Sequence, residues 1–249
     1  MAHDDGGRRV LGAHWGFAAF FAGVAGYHLV TLVTTVALNR QTGELDPLEL
    51  PAGPLLLLAF LPNLMLGLGP LLGSLRHGEG LSRDFGLVPT WRDVRIGLAF
   101  GALALVVGYG LNLAVIAVYG ADEVSDSPLS DLSDLSDLSN LSGNADAGPA
   151  WLVPAALIVV LAAPLTEELL FRGALWNALS AYRIPSWVVL VLTALVFAQV
   201  HGEATRTIAL FGQGLVLGLA RHHSGRVGAS VIAHAANNLP PAVLLFAGP

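Results

Sequence analysis

The sequence contains neither cysteine nor lysine, and only 12% of its 249 residues are charged. Without cysteine, the chain can form neither disulfides nor thiolate metal sites. A soluble domain has about twice this charged fraction, so the scarcity of charge argues against a soluble protein. The net charge is −6, but many of the acids lie in one loop at 120–149, and no nucleic-acid partner is expected.

Apolar residues make up 54% of the chain and fall into long runs. A helix needs about 20 such residues to cross a bilayer. The runs predict an all-α, polytopic transmembrane helical bundle with a four-helix catalytic core in its C-terminal half. We predict about seven spans, near residues 13–38, 52–75, 96–119, 150–181, 186–201, 203–221 and 227–247.

The arginines fall mostly on one side of this predicted topology. Ten lie on the side of the N-terminus: Arg8, Arg9, Arg76, Arg83, Arg92, Arg95, Arg172, Arg183, Arg221 and Arg226. Only Arg40 and Arg206 lie on the other. Because positive residues accumulate in cytoplasmic loops, we predict a multi-pass protein of the plasma (inner) membrane with a cytoplasmic N-terminus, in contact with membrane lipid.

The chain divides into an N-terminal part, 1–149, and a catalytic helical core, 150–247. The first part has membrane spans, a stretch at Leu81–Arg95 expected along the cytoplasmic surface, and an acidic outer loop at 120–149. That loop contains the repeat SDLSDLSDLSNLS, Ser130–Ser142. Its acid spacing does not match an EF-hand loop, so we interpret it as a solvated outer loop.

A few polar side chains interrupt the apolar runs of the core: Glu167, Glu168, Arg172, His201, His234, Asn237 and Asn238. An ionised group at mid-membrane costs roughly 2.5–3.5 kcal/mol, so these side chains need partners or water. The spans at 150–181 and 186–201 form a hairpin, and a rise of about 1.5 Å per residue puts the acid pair and His201 at similar depths.

The spacing on each helix predicts further neighbours. Glu168 and Arg172 are four residues apart, acid first, which favours an ion pair. His234 and Asn238 share a face in the same way, and Asn237 is a second candidate. Such groups can also be interhelical clamps, but three polar clusters at similar depth favour a functional site.

Three motifs carry a resemblance to a known family. Glu167-Glu168-Leu169-Leu170-Phe171-Arg172 fits EExxxR, Phe197 to His201 fits FxxxH, and His234 to Asn238 fits HxxxN. In order and spacing they resemble the CPBP family of CAAX proteases and bacteriocin-processing enzymes, also called the type II CAAX prenyl endopeptidase or Abi family. The resemblance covers about residues 150–240.

The resemblance implies an intramembrane endopeptidase that acts on a peptide or a lipidated protein. It implies that Glu167 activates water with help from His201, and that His234 and Asn238 stabilise the oxyanion. Glu168 and Arg172 would support the site.

Two questions stay open at this point. His201, His234 and Glu167 could form a zinc or other divalent metal site, or glutamate and histidine could act without a metal. The alternative function is a non-catalytic membrane protein of the same fold that binds a partner or confers immunity.

Overall fold

A computed structural model describes residues 13–41, 52–120, 152–202 and 206–244. Within these ranges the chain forms eight helices and no strand, which confirms the all-α class. The helices are α1 (Ala13–Gln41), α2 (Ala52–His77), α3 (Leu81–Asp84), α4 (Trp91–Tyr119), α5 (Leu152–Ala181), α6 (Ser186–Val200), α7 (Thr207–Ser224) and α8 (Val227–Leu244). The acidic repeat of the predicted outer loop lies outside the described residues.

The bundle is that of a membrane protein. Three helical segments are long and apolar enough to cross a bilayer, Trp15–Ala37, Trp91–Tyr119 and Leu152–Ala181. Helix α6 is also apolar but has only 15 residues. The number of seven spans stays a prediction.

Helix α4 begins earlier than the sequence analysis predicts. Residues 91–95, expected along the membrane surface, form its first turn instead. The reason is a capping box, in which the Thr90 hydroxyl accepts from the Asp93 backbone N–H and the Asp93 carboxylate accepts from the Thr90 N–H. These bonds satisfy N–H groups that would otherwise be unpaired at the helix start.

One end of the bundle collects most of the arginines, and we call it the arginine end. There α2 ends, α4 begins, and the α5–α6 and α7–α8 turns lie. The backbone N–H of Val227 donates to the Phe85 carbonyl, and Arg226 donates to the Val88 carbonyl. The segment between α3 and α4 is therefore bonded to the α7–α8 turn.

Glycines let α4 lie directly against α8. A Cβ atom built on Gly97 would come within 2.6 Å of Ile232, and one on Gly101 within 2.6 Å of Ala236. Such distances are shorter than non-bonded carbon–carbon contacts in proteins, so a side chain at either position would force α4 and α8 apart. This packing brings the second half of α8 beside α5 and α4, where the polar residues lie.

Candidate active site

Helix α5 is irregular on both sides of its acid pair. Ile158–Ala162 and Leu169–Leu175 are π-helical, and Glu167 and Glu168 end the short α-helical segment between them. Within the first π segment the Ala163 N–H donates to the Ile158 carbonyl, five residues back. In this register the Val159 carbonyl would accept from residue 164, which is proline and has no N–H.

Asn238 supplies the missing donor. Its Nδ2 donates to the Val159 carbonyl at 3.0 Å, and so connects α8 to α5. An unpaired backbone carbonyl in a membrane interior costs several kcal/mol. Pro164 and Asn238 are therefore structurally linked, although they are far apart in the sequence.

A chain of side-chain amides continues from Asn238. Its Oδ1 accepts from Asn237 at 3.1 Å, and the Asn237 Oδ1 accepts from Gln213 of α7 at 3.3 Å. Because a carbonyl only accepts, the Val159 oxygen sets the direction of every bond in the chain. Together Gln213, Asn237 and Asn238 form what we call the amide relay.

The predicted Glu168–Arg172 pair is present and completely buried. Arg172 Nη1 donates to Glu168 Oε1 at 3.0 Å, and both side chains have 0% exposure. Arg172 Nη2 donates to the Gly214 carbonyl at 2.8 Å. The pair therefore neutralises its own charge and attaches α5 to α7.

Phe197 packs against Arg172 and against both imidazoles. Its ring lies 4.7 Å from the Arg172 guanidinium, 4.6 Å from the His201 ring and 5.9 Å from the His234 ring. A cation over an aromatic face is favourable, more so when it is desolvated. The phenylalanine of FxxxH thus packs against most of the charged groups of the site.

Both histidines are fixed through Nδ1. His201 Nδ1 lies 2.7 Å from the Phe197 carbonyl, and His234 Nδ1 lies 3.0 Å from Glu168 Oε1. A carbonyl or an ion-paired carboxylate can only accept, so each Nδ1 carries a proton. Each imidazole therefore turns its Nε2 toward the remaining acid, Glu167.

Glu167 Oε2 lies between the two rings. It is 4.0 Å from His201 Nε2 and 3.9 Å from His234 Nε2. Among the described residues this buried oxygen has no hydrogen-bond partner. Distances just beyond a hydrogen bond are those that one bridging water can span.

The acid and imidazoles line a cavity of about 200 Å³. It extends from Leu217 and His234, in the middle of the bundle, to Arg206 and His201, at the end away from the arginines. Its walls also contain the amide relay, Tyr109 and Asn112. The acid pair and both histidines are reached from the arginine end along the sequence, which predicts an opening to the cytoplasm. The described lining residues lie toward the opposite end.

The structure brings together Glu167, His201 and His234, as the motifs predict. It also shows a contribution that sequence reasoning missed, that of Gln213 in α7. The signal was available, because Gln213 is a polar residue within the apolar run IALFGQGLVLGLA.

The distances between the possible ligand atoms can be compared with those that a zinc site requires. Tetrahedral zinc with bonds of about 2.0 Å would hold its ligands roughly 3.3 Å from one another. The Glu167-to-imidazole distances are 3.9 and 4.0 Å. Within the described ranges no group of three or more His, Cys, Asp or Glu side chains could hold a metal ion. As placed, Glu167 is too far from either imidazole to share a zinc ion with it, and a metal site at these residues stays a prediction.

Buried acid and imidazole groups line a cavity within a helical membrane bundle, and together they form a candidate active site. These groups lie in the segment of the chain that is similar to a known family. Residues 149–240 match the Rce1-like family, described as type II CAAX prenyl endopeptidase Rce1-like. This segment contains all three motifs, and its similarity to that family agrees with the resemblance that the motifs carry.

One curated relative is similar to part of the chain. It is an "Uncharacterized 24.3 kDa protein" of Escherichia coli, 32% identical over 94 residues. The match covers 36% of this chain and 43% of the relative, so it spans less than half of the relative's length. No solved structure matches the chain significantly.

Proposed function

We propose that this protein is an intramembrane endopeptidase that hydrolyses a peptide bond with a water molecule activated by Glu167. One observation carries the proposal. Glu167 Oε2 faces the Nε2 atoms of both His201 and His234 at 3.9–4.0 Å inside the cavity. The match to type II CAAX prenyl endopeptidases supports the same chemistry.

The first step is attack by water. Glu167 accepts a proton from water held between its carboxylate and His201 Nε2, whose lone pair faces the cavity when the ring is neutral. The resulting hydroxide attacks the peptide carbonyl carbon. General-base catalysis of this kind is worth about 10²–10⁴-fold in rate.

The second step is stabilisation of the oxyanion. His234 has a carboxylate at Nδ1, and such a partner stabilises the charge of an imidazolium. Its Nε2–H then donates to the oxyanion. Asn238 uses one Nδ2 hydrogen for Val159, and its second hydrogen is the other proposed donor.

The last step returns the proton. The site combines two carboxylates with one guanidinium, so one additional proton balances its charge. Glu167, having taken a proton from water, delivers it to the leaving amine as the carbon–nitrogen bond breaks. The products are a carboxylic acid and an amine.

The test is a cleavage assay on purified protein. Wild type and Glu167→Gln are incubated in detergent with prenylated and unmodified peptides, and products are identified by mass spectrometry. We expect the variant to retain its melting temperature and to lose about 10²–10⁴-fold in kcat. Glu79→Gln is the matched control, because Glu79 is an exposed carboxylate at the arginine end.

Full activity in Glu167→Gln would contradict the assignment of the base. Metal dependence is measured in the same assay, by metal analysis of the purified protein and by dialysis against a chelator. We expect cleavage to survive the chelator. Activity that disappears on dialysis and returns with zinc would show that the imidazoles move to bind a metal.

A further inference from the structure

A second cavity, of about 240 Å³, lies between α1 and α2 at the arginine end. It is a groove whose one wall is α1, from Trp15 to Ala22, and whose other wall is α2, from Gly69 to His77. Within the described residues, it has no lining residue in common with the cavity around Glu167. The groove is therefore separate from the candidate active site.

Small residues on both helices leave the groove unfilled. Three alanines of α1 and two glycines of α2 line it, spaced so that each set lies along one helix face. At the floor, Gly69 lies against the Ala19 carbonyl, where a Cβ atom would collide. From Trp15 to Ala22 the groove extends roughly 10 Å along α1, at about 1.5 Å per residue. The result is a narrow apolar groove parallel to the helices.

One end of the groove is polar. Arg76 and His77 lie in the last turn of α2 and line the groove beside Trp15. The rings of Trp15 and His77 stack with their centroids 3.8 Å apart, which fixes the imidazole at this end. A guanidinium and an imidazole, both hydrogen-bond donors, thus lie where the apolar walls finish.

The Arg76 guanidinium lacks an anionic partner within the described part of the chain. Of the acids that follow it, Glu79 pairs with Arg83 at 3.5 Å. Asp84 accepts from the Glu79 backbone N–H at 3.0 Å and from the Ser74 hydroxyl. The positive charge at the end of the groove is therefore available to an anion from outside the bundle.

The groove lies where a membrane lipid would reach it. Helix α1 is long and apolar enough to cross a bilayer, and its side chains Phe21 and Leu29 are more than 60% exposed. Tryptophan near the end of a span is typical of the interface, at the depth of the headgroups. Basic pockets between membrane helices are known to bind anionic headgroups.

We propose that the groove between α1 and α2 binds one anionic phospholipid, with an acyl chain along Ala18 and Ala22 and the phosphodiester on Arg76 and His77. A guanidinium donates two parallel N–H···O bonds to a phosphate group. The apolar walls bind the hydrocarbon chain and exclude water from it. This site does not depend on the peptidase function proposed for the other cavity.

Native mass spectrometry of the full-length protein in a non-ionic detergent tests the site. The protein is titrated with dioleoyl phosphatidylglycerol and, separately, with dioleoyl phosphatidylcholine, which has no net charge. Arg76→Gln removes the guanidinium, and Ala18→Leu fills the groove from an exposed position. Arg95→Gln is the matched control, because Arg95 lies beside the exposed Trp91 at the same end but outside the groove. The melting temperature of each variant is measured first.

We expect wild type and Arg95→Gln to bind one phosphatidylglycerol more tightly than phosphatidylcholine. Arg76→Gln should bind phosphatidylglycerol about fivefold more weakly, since one cation near the membrane surface contributes about this factor. Ala18→Leu should bind both lipids more weakly, and inorganic phosphate should displace neither. Equal binding of the two lipids by wild type, or equal losses in Arg76→Gln and Arg95→Gln, would overturn the proposal.

Other occupants of the groove would give other results. Phosphatidylglycerol binding that appears only in Asp4→Asn/Asp5→Asn would assign Arg76 to the acids of the N-terminal segment. A dimer that binds no lipid would assign the groove to a second copy of the chain, and displacement by inorganic phosphate would assign Arg76 to a free anion. Each of these results would overturn the proposal. Lipid binding requires no peptide hydrolysis, so the proposal and the proposed function fail in different experiments.

Discussion

Replacement of Arg172 by methionine tests the charge balance of the site. The substitution keeps an unbranched apolar stem and removes the guanidinium. Glu168 Oε1 then loses its 3.0 Å bond from Nη1, and the Gly214 carbonyl loses its 2.8 Å bond from Nη2. Neither acceptor can turn to water, because the surroundings of the fully buried pair are packed.

The expected loss of stability comes from the Glu168 carboxylate and the Gly214 carbonyl, which both lose their bonds from the guanidinium. Removal of one partner of a buried ion pair costs about 3–5 kcal/mol. After loss of the guanidinium, Glu168 Oε1 keeps only its bond from His234 Nδ1. An orphaned carbonyl costs about 1–3 kcal/mol, and the two effects are not additive because they share one side chain. We therefore expect Arg172→Met to lower the free energy of unfolding by about 3–5 kcal/mol.

The double variant Glu168→Gln/Arg172→Met separates charge from packing. It removes both charges, and replacement of a whole buried pair is often nearly neutral. We expect it to recover about half or more of the loss, or roughly 2 kcal/mol. Stability is measured by tryptophan fluorescence during unfolding in mixed detergent and SDS micelles.

Arg83→Met is the matched control, because Arg83 pairs with Glu79 at 3.5 Å on the surface and its side chain is 76% exposed. Its unfolding curve should be unchanged, since exposed ion pairs contribute little. A single Arg172→Met variant as stable as wild type would refute the reasoning. So would a double variant no more stable than the single one.

Two further substitutions test the surroundings of the site. Gly108→Ala would place a Cβ atom against Gln213 Nε2 and displace the start of the amide relay, so we expect a lower kcat at unchanged expression. Gly110→Ala, with open space around it, should match wild type, and equal activity in both variants would contradict the role of the relay. Asp93→Ala removes the capping box of α4 and the bond from Arg226. A melting experiment should show a free energy of unfolding lower by about 1–3 kcal/mol, and an unchanged value would contradict the stabilising role of the cap.

The sequence predicted the parts of this site that depend on short-range spacing. The Glu168–Arg172 pair follows from an i, i+4 separation, and the common depth of the acids and His201 follows from the length of one helical hairpin. The three motifs added the expectation that His234 completes the group. These features are local or nearly so, and hydropathy defines the helices that carry them.

Other features could not be read from the sequence, because they depend on how distant helices pack. The cavity that His234 lines is formed by residues of α4, α5, α6, α7 and α8, and the spacing within α8 does not predict which helices surround His234. Phe85 likewise packs against Gly173, although the two residues are 88 positions apart in the sequence. No periodicity within one helix predicts such a contact.

The polar groups of the site are tolerated in a membrane because almost all of them have direct partners. A π-helical turn next to Pro164 leaves the Val159 carbonyl free, and Asn238 bonds to it. Arg172 satisfies Glu168, and backbone or carboxylate acceptors orient both imidazoles. Every ionisable group of the motifs except Glu167 thus has a direct partner that fixes it. Since an intramembrane charge is retained only with a partner or with a function, the lack of a direct partner at Glu167 Oε2 among the described residues supports its proposed role as the base.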